Sequence, residues 1–246
     1  MLTNTDITLV ISHPDDEVMF FGPTLGLLTI PDLNNTVSIV SFSSGNAQGL
    51  GELRKKELIL SALNYKIPPN RVHIIDEESK FPDSMTVHWD QTEIAAVLDK
   101  ILTAEQAVIT FDEQGVSGHT NHISVSKGVA KWAEEHQQSQ VWNLRSVPLA
   151  RKYLMLFDAF ISYYVEPGLI ALHKHLYGRL EEMGYEWYLP EPVDRPRQIT
   201  IVSRQEQYSQ AKTIMVEAHK SQMQWYRHGW ILFSRYMIVN DLVKVQ

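Results

Sequence analysis

The sequence predicts an α/β protein: a Rossmann-like, mostly parallel sheet with helices on both faces and its active site at the carboxyl ends of the strands. Three observations lead there. Short, β-branched apolar runs alternate with segments of helical spacing through the first half of the chain. The runs are continuously apolar rather than alternating, as expected of strands covered on both faces. The length, 246 residues, suits one unit of this class, since α/β sheets often reach ~250 residues as a single domain.

The elements follow in order. Residues 6–12 (DITLVIS) and 37–43 (VSIVSFS) read as buried strands. Residues 52–64 (ELRKKELILSALN) have helical spacing, with Leu53, Leu58 or Ile59, and Leu63 on one side. Residues 71–76 (RVHIID) are a third strand. Residues 93–102 are helical, with Ile94, Val97, Leu98 and Ile101 at i, i+3, i+4 and i+7. Residues 107–111 (AVITF) are a strand, 123–137 a helix and 141–147 a further strand. This βαβα order implies parallel crossovers, which line up the loops after the strands along one edge.

The second half is less regular. Residues 151–177 are rich in Leu, Phe, Tyr and Ile and are broken at Pro167-Gly168. The aromatics there, with Phe157, Phe160, Tyr163 and Tyr164, read first as core and second as a lipid-facing or interfacial surface. Residues 188–197 (YLPEPVDRPR) are a proline-rich connection, 198–202 a short strand and 204–227 a long helix. No repeat, low-complexity tract or long linker is visible. Residues 1–246 are therefore expected to form one domain with an irregular insertion at about 151–197.

Composition excludes several classes. Hydrophobic residues make up 44% and charged residues 21%, which argues against disorder. A net charge of −7 argues against a nucleic-acid binder. There is no cysteine, so any metal would need His, Asp or Glu ligands. No apolar run approaches the roughly 20 residues of a membrane span, and the first residues carry no signal-peptide pattern. Glycines 45, 49 and 51 follow a strand, but their spacing matches neither dinucleotide nor P-loop motifs.

Two loops carry the chemistry. His13-Pro14-Asp15-Asp16-Glu17 directly follows the first strand. His13 and Asp16 can converge on one cation, and Asp15 is free to act as a base. Three adjacent carboxylates beside a His would repel each other without a compensating cation. Asp112, then Gly115-Val116-Ser117-Gly118-His119-Thr120-Asn121-His122, follow the strand at 107–111 and so lie on the same edge. Together the loops supply the parts of a catalytic zinc site with an open position for water. Two His ligands suit a borderline metal better than Mg²⁺; Mn, Co or Fe could use the same donors. A spare carboxylate and a spare His then suit amide hydrolysis without a covalent intermediate.

The segments HPDDE, GLGELRKKEL, FPD…HWD, TFDEQGVSGHTNH and HKSQMQWYR…FSRYM resemble the zinc-dependent de-N-acetylase family that includes the LmbE-like enzymes. Within it, GVSGHTNH and FSRYM are similar to the PIG-L branch, the N-acetylglucosaminyl-phosphatidylinositol de-N-acetylases of GPI-anchor biosynthesis. The resemblance runs from about residue 6 to 150 and from about 198 to 240. It implies zinc ligation by His13, Asp16 and His122, with Asp15 as general base. It implies that His119 stabilises the oxyanion or acts as general acid, that Arg54 reaches sugar hydroxyls or phosphate, and that Asp83 contacts the sugar. His219 and Gln222, in HKSQ, are expected in the pocket wall. One departure concerns HTNH, where many bacterial members have HPDH. Asn121 then stands where an Asp would tune His119, and another carboxylate such as Asp112 could replace it.

The resemblance implies a phosphatidylinositol-linked N-acetylglucosaminide as substrate and a place at the cytoplasmic face of the endoplasmic reticulum, with peripheral membrane contact. The alternative substrate is a soluble glucosaminide: glucosaminyl-inositol, a thiol-cofactor precursor or a chitooligosaccharide. The membrane-spanning helix usual in the eukaryotic enzymes is not seen in this sequence. A non-catalytic sugar-binding module is the third reading, which a spare carboxylate beside the metal ligands opposes.

Overall fold

The computed structural model describes residues 2–103, 105–185, 189–191 and 197–246. Its strands are β1 (Asp6–Ile11), β2 (Thr36–Ser41), β3 (Val72–Ile74), β4 (Ala107–Phe111), β5 (Gln140–Leu144), β6 (Gln198–Val202) and β7 (Val239–Lys244). Alternation within them explains the layering. Ile7, Leu9 and Ile11 of β1 enter one core and Val10 the other; Ile39 and Val40 of β2, and Ile109 and Val108 of β4, divide in the same way. Strands apolar on both sides need cover on both faces.

The sheet has seven strands in the order β3-β2-β1-β4-β5-β7-β6. β1 pairs in parallel with β2 and β4, β2 with β3, and β4 with β5. β7 is antiparallel to both of its neighbours. The strand order reverses between β1 and β4, so the loops after these two strands diverge and open a crevice at their carboxyl ends. Both chemical loops leave from there, as the order of elements predicts.

The helices are α1 (Asp16–Met19), α2 (Gly22–Leu28), α3 (Gly51–Asn64), α4 (Gln91–Ile101), α5 (Gly115–Gly118), α6 (Thr120–Glu135), α7 (Leu149–Lys152), α8 (Leu156–Phe160), α9 (Glu166–Glu182), α10 (Gln205–Glu217) and α11 (Trp225–Phe233). α4 starts where the Asp90 side chain accepts the Thr92 N–H at 2.7 Å. It lies on α6 at Gly128, where a Cβ would come within 2.2 Å of Ile94; only glycine permits that approach.

Four expectations change. α6 begins at Thr120 rather than residue 123, because the His119 ring accepts the Asn121 N–H and caps it. His122 therefore sits on a helix turn, not in a loop. The long helix expected over 204–227 stops at Glu217, and a 3-10 turn at Lys220–Gln222 precedes α11. Glu57 on α3 accepts the Ser221 N–H at 2.8 Å and its hydroxyl at 2.6 Å, which draws the chain out of the helix. β7 is a strand that alternation does not reveal. Its interior residues Asn240 and Asp241 are polar, yet both are buried. Asn240 accepts from Thr24 Oγ1 at 2.7 Å and donates to the Phe20 carbonyl at 2.8 Å.

The fourth change concerns the stretch 151–177. Pro167 does not break it. Helix runs through from α8 to α9, with one π turn at Ile161–Val165 ahead of the proline. Pro167 offers no N–H and its ring crowds the carbonyl four residues back, and a widened turn relieves both. The aromatics there are not core: Phe157, Phe160, Tyr163 and Tyr164 are exposed. The proline-rich connection at 188–197 lies mostly outside the described residues.

Candidate active site

The chain leaves β1 through Ser12 and turns at Pro14-Asp15. Asp15 has φ +111°, a conformation that costs a non-glycine residue free energy and persists only when neighbours impose it. Two contacts do so. The Glu17 carboxylate accepts the Asp15 N–H at 3.0 Å. Arg54 donates to the Pro14 carbonyl at 2.6 Å. Glu17 is itself fixed by the Ser61 hydroxyl and by His219 Nε2, each at 2.6 Å, in a fully buried group. Burial alone would lower the pKa of His219, but the Glu17 carboxylate outweighs it and raises it.

This turn sets His13 and Asp16 side by side. The Asp16 carboxylate accepts the backbone N–H groups of Ser12 and His13, at 3.1 and 2.9 Å, which fixes its orientation. From α6, His122 brings Nε2 to 3.2 Å from Asp16 Oδ1, while its Nδ1 donates to the Gly115 carbonyl at 3.2 Å. That hydrogen bond orients the ring and leaves Nε2 as the free nitrogen. His13, Asp16 and His122 are all buried, and one donor atom from each lies within 4.8 Å of the others. Burial opposes ionisation of Asp16, yet His122 and His13 hold its carboxyl well below the usual carboxylate range. Two imidazoles and a carboxylate in this arrangement suit a divalent transition metal, so the donor set fits the expected cation.

Asp15 stands apart from this trio. Its oxygens lie 3.6 Å from Arg54 and 3.3 Å from Arg227. Burial raises its pKa, and the two guanidiniums oppose that rise. Asp83 reaches His13 Nε2 at 3.3 Å and Arg54 at 3.4 Å. All of these groups line one cavity of about 460 Å³, together with His119, Gln222, Met85 and Tyr226. Arg54 is not on a solvated helix face: it is 7% exposed and also donates to the Gly45 carbonyl at 2.8 Å. Its Nε is buried and has no hydrogen-bond partner. A Cβ on Gly45, whose φ is +72°, would lie 2.2 Å from the guanidinium.

His119 caps α6, with Nδ1 accepting the Asn121 N–H at 3.2 Å. The ring proton therefore sits on Nε2, which is left as a donor. Burial, with His122 and His13 nearby, pushes its pKa down to about 4. Neither residue expected to tune this ring does so. The Asn121 side chain accepts the Ser84 N–H at 3.0 Å, meets His13 Nε2 at 3.1 Å and donates to the Val87 carbonyl at 3.0 Å. It ties the Asp83 loop to α6. Asp112 is engaged by Ser146 and by the N–H groups of Gln114 and Gly115 and lines a different cavity. The carboxylate that groups with His13 and His119 is Asp83. His219 lies behind the cavity wall, on Glu17, while Gln222 lines it.

Two residues escape the sequence reading. Arg227, from α11, reaches Asp15 across 212 positions. Glu17 is the third carboxylate of HPDDE, and its job is to hold the backbone of the second. The segment HKSQMQWYR held the clue to Arg227, but nothing in its spacing says which side chain turns inward.

The chain as a whole matches known proteins. The family model described as PIG-L, GlcNAc-PI de-N-acetylase, matches residues 8–133. The N-acetylglucosaminyl-phosphatidylinositol de-N-acetylase of Bos taurus is 37% identical over 95% of this chain and 81% of its own. The probable enzyme of that name from Schizosaccharomyces pombe is 35% identical over 96% and 85%. Among solved structures, the zinc inhibited form of a teicoplanin deacetylase superposes with a TM-score of 0.57 at 14% identity, covering 98% of this chain and 97% of that one. The N,N'-diacetylchitobiose deacetylase of Pyrococcus horikoshii gives 0.54 at 15% identity, covering 100% and 87%. At such identities these structures speak for the fold alone, and they share it. The sequence matches decide the rest: this chain belongs to the PIG-L family of GlcNAc-PI de-N-acetylases.

Proposed function

We propose that the protein is a zinc-dependent hydrolase that removes the acetyl group from N-acetylglucosamine linked to phosphatidylinositol. The observation that carries this is the convergence of His13, Asp16 and His122 in one buried cluster, with the separate Asp15 carboxylate in the same cavity. The family and the names of its members supply the substrate.

His13, Asp16 and His122 would hold the cation. When bound, zinc lowers the pKa of a water molecule and polarises the acetyl carbonyl. Asp15 takes a proton from the attacking water, whose oxygen bonds to the carbonyl carbon. His119 donates from Nε2 to the carbonyl oxygen as it gains charge. When the C–N bond breaks, Asp15 returns its proton to the leaving nitrogen, giving acetic acid and the free amine, which ionise to acetate and ammonium. Arg54 and Asp83 border the cavity where sugar hydroxyls or phosphate would lie; a guanidinium fork suits either group.

The test is a comparison of turnover on N-acetylglucosaminyl-phosphatidylinositol, N-acetylglucosaminyl-inositol and diacetylchitobiose, with metal-replete protein and a chelator control. The lipid-linked substrate should give the highest kcat/KM, and chelation should abolish activity. A preference for either lipid-free compound would reject the proposed substrate, and turnover that survives chelation would reject the metal.

A further inference from the structure

Helix α8, its π turn and α9 form one helical arm over residues 156–182, about 40 Å long at 1.5 Å per residue. Its amphipathicity is inverted. The charged and polar residues Asp158, Ser162 and Glu166 face the protein, where Arg151, Arg235, Asp241 and Arg145 receive them. Many of its large apolar residues face out. Phe157, Phe160, Tyr164, Leu169, Leu172 and Leu176 range from 46% to 79% exposed. No residue of α9 is buried. Exposed apolar surface of this extent marks an interaction site.

The π turn makes these six residues one stripe. At about 100° per residue, Phe157, Phe160 and Tyr164 would lie roughly 100° around the helix from Leu169, Leu172 and Leu176. A π turn inserts one extra residue, with Glu166 N–H bonding back to the Ile161 carbonyl. That steps the register back by about 100° and brings the leucines under the aromatics.

We infer that this stripe docks the enzyme on a lipid bilayer, lying in the headgroup region rather than spanning it. Among the described residues no helix is long and apolar enough to cross a membrane. The arm begins at the cavity: Lys152, just before it, donates to Ser117 of the cavity lining at 3.0 Å. Trp225, next in the chain to the cavity residue Tyr226, is 86% exposed. The choice of a bilayer over a second copy of this chain rests on the proposed substrate, whose acyl chains keep it in a membrane. Asp158 and Glu166 being paired with arginines of the protein, the arm is left with two cations (Lys174, Arg179) and two anions (Glu181, Glu182), no net attraction for anionic lipid. Apolar insertion, not attraction to anionic lipid, would therefore drive binding.

The experiment is flotation of the metal-loaded protein with phosphatidylcholine vesicles at low and high salt, without substrate. The protein should float at both. A Leu172→Glu/Leu176→Glu variant should lose at least tenfold in partitioning while its turnover of N-acetylglucosaminyl-inositol stays unchanged; Phe157→Glu alone should lose part of the binding. Failure of the unaltered protein to float overturns the inference, as does a double variant that floats equally well. So does a dimer that the double variant dissolves without any vesicle binding, since the stripe is then covered by a second copy. Flotation needs no turnover, so the two proposals fail separately. A protein that floats but spares N-acetylglucosaminyl-phosphatidylinositol loses only its substrate, and one that cleaves it in detergent but never floats loses only its membrane face.

Discussion

Two regions bury charge, and they balance it differently. Around the cavity stand four carboxylates, Asp15, Asp16, Glu17 and Asp83, with two guanidiniums, Arg54 and Arg227. At the root of the helical arm, Arg145, Arg151 and Arg235 meet Glu166, Asp158 and Asp241, three against three. The first cluster has a surplus of anions beside an open cleft. The second is matched charge for charge, and only Arg145 of it borders a cavity. Burying an unmatched carboxylate is costly, so a surplus persists where something supplies the missing positive charge. His219 supplies part of it at Glu17; a cation among His13, Asp16 and His122 would supply more. An unbalanced buried cluster is thus a mark of chemistry, and a balanced one a mark of anchoring.

The largest effect should come from the unbalanced cluster. Asp15→Asn removes the proposed base and should lower kcat by about 10²- to 10⁴-fold while elemental analysis still finds the metal. Full activity in that variant would place the base elsewhere. His13→Ala and His122→Ala should lose the metal itself, and undiminished occupancy in both would refute the ligand set.

Next in size is damage to the balanced cluster. Arg235→Met leaves Asp158 and Asp241 short of a partner and should cost about 3–5 kcal/mol of stability, read from urea unfolding. Metal content of the folded protein should not change. If that variant instead loses metal at full stability, the two clusters are one system and the contrast between them fails.

A smaller effect is expected where the cavity depends on support. His219→Ala deprives Glu17 of a charge-assisted hydrogen bond worth about 1.5–3 kcal/mol. Turnover should fall about tenfold with KM little changed, because Asp15 loses the hold on its strained backbone. His219→Gln, which can still donate, should recover part of the rate. An unchanged kcat in His219→Ala would show that the Asp15 turn needs no such brace.

The smallest effect is a pH dependence of stability. Burial opposes ionisation of Glu166, but Arg145 and Arg151 bring its pKa down to about 2, and Asp241 is likewise lowered by Arg235. A depressed carboxylate stabilises the fold above its unfolded pKa, near 4.5 for Glu166, and loses that contribution as pH falls toward its folded value. Thermal stability should therefore decline between about pH 4.5 and 2, and Glu166→Gln should flatten that decline. An equally steep decline in the variant would assign it to other carboxylates.

Much was legible from the residues in order. The apolar runs at β1, β2 and β4 named a parallel sheet, because strands apolar on both sides have no other stable setting. HPDDE, just after β1, and the loop that follows β4 and ends in HTNH put His13, Asp16 and His122 forward as candidates, and the structure brings these three into one buried cluster. Local chemistry suffices there, since each motif keeps its functional groups within a few residues. Tertiary structure decided what separate segments do to one another. β7 hides its strand character because Asn240 and Asp241 are buried on partners from α2 and the helical arm. Arg227 and His219 lie more than 200 positions from the residues they support, and no spacing rule spans that distance. The aromatic stretch could as well have been core; only its packing, with charges inward and rings outward, shows which face the protein keeps and which it offers.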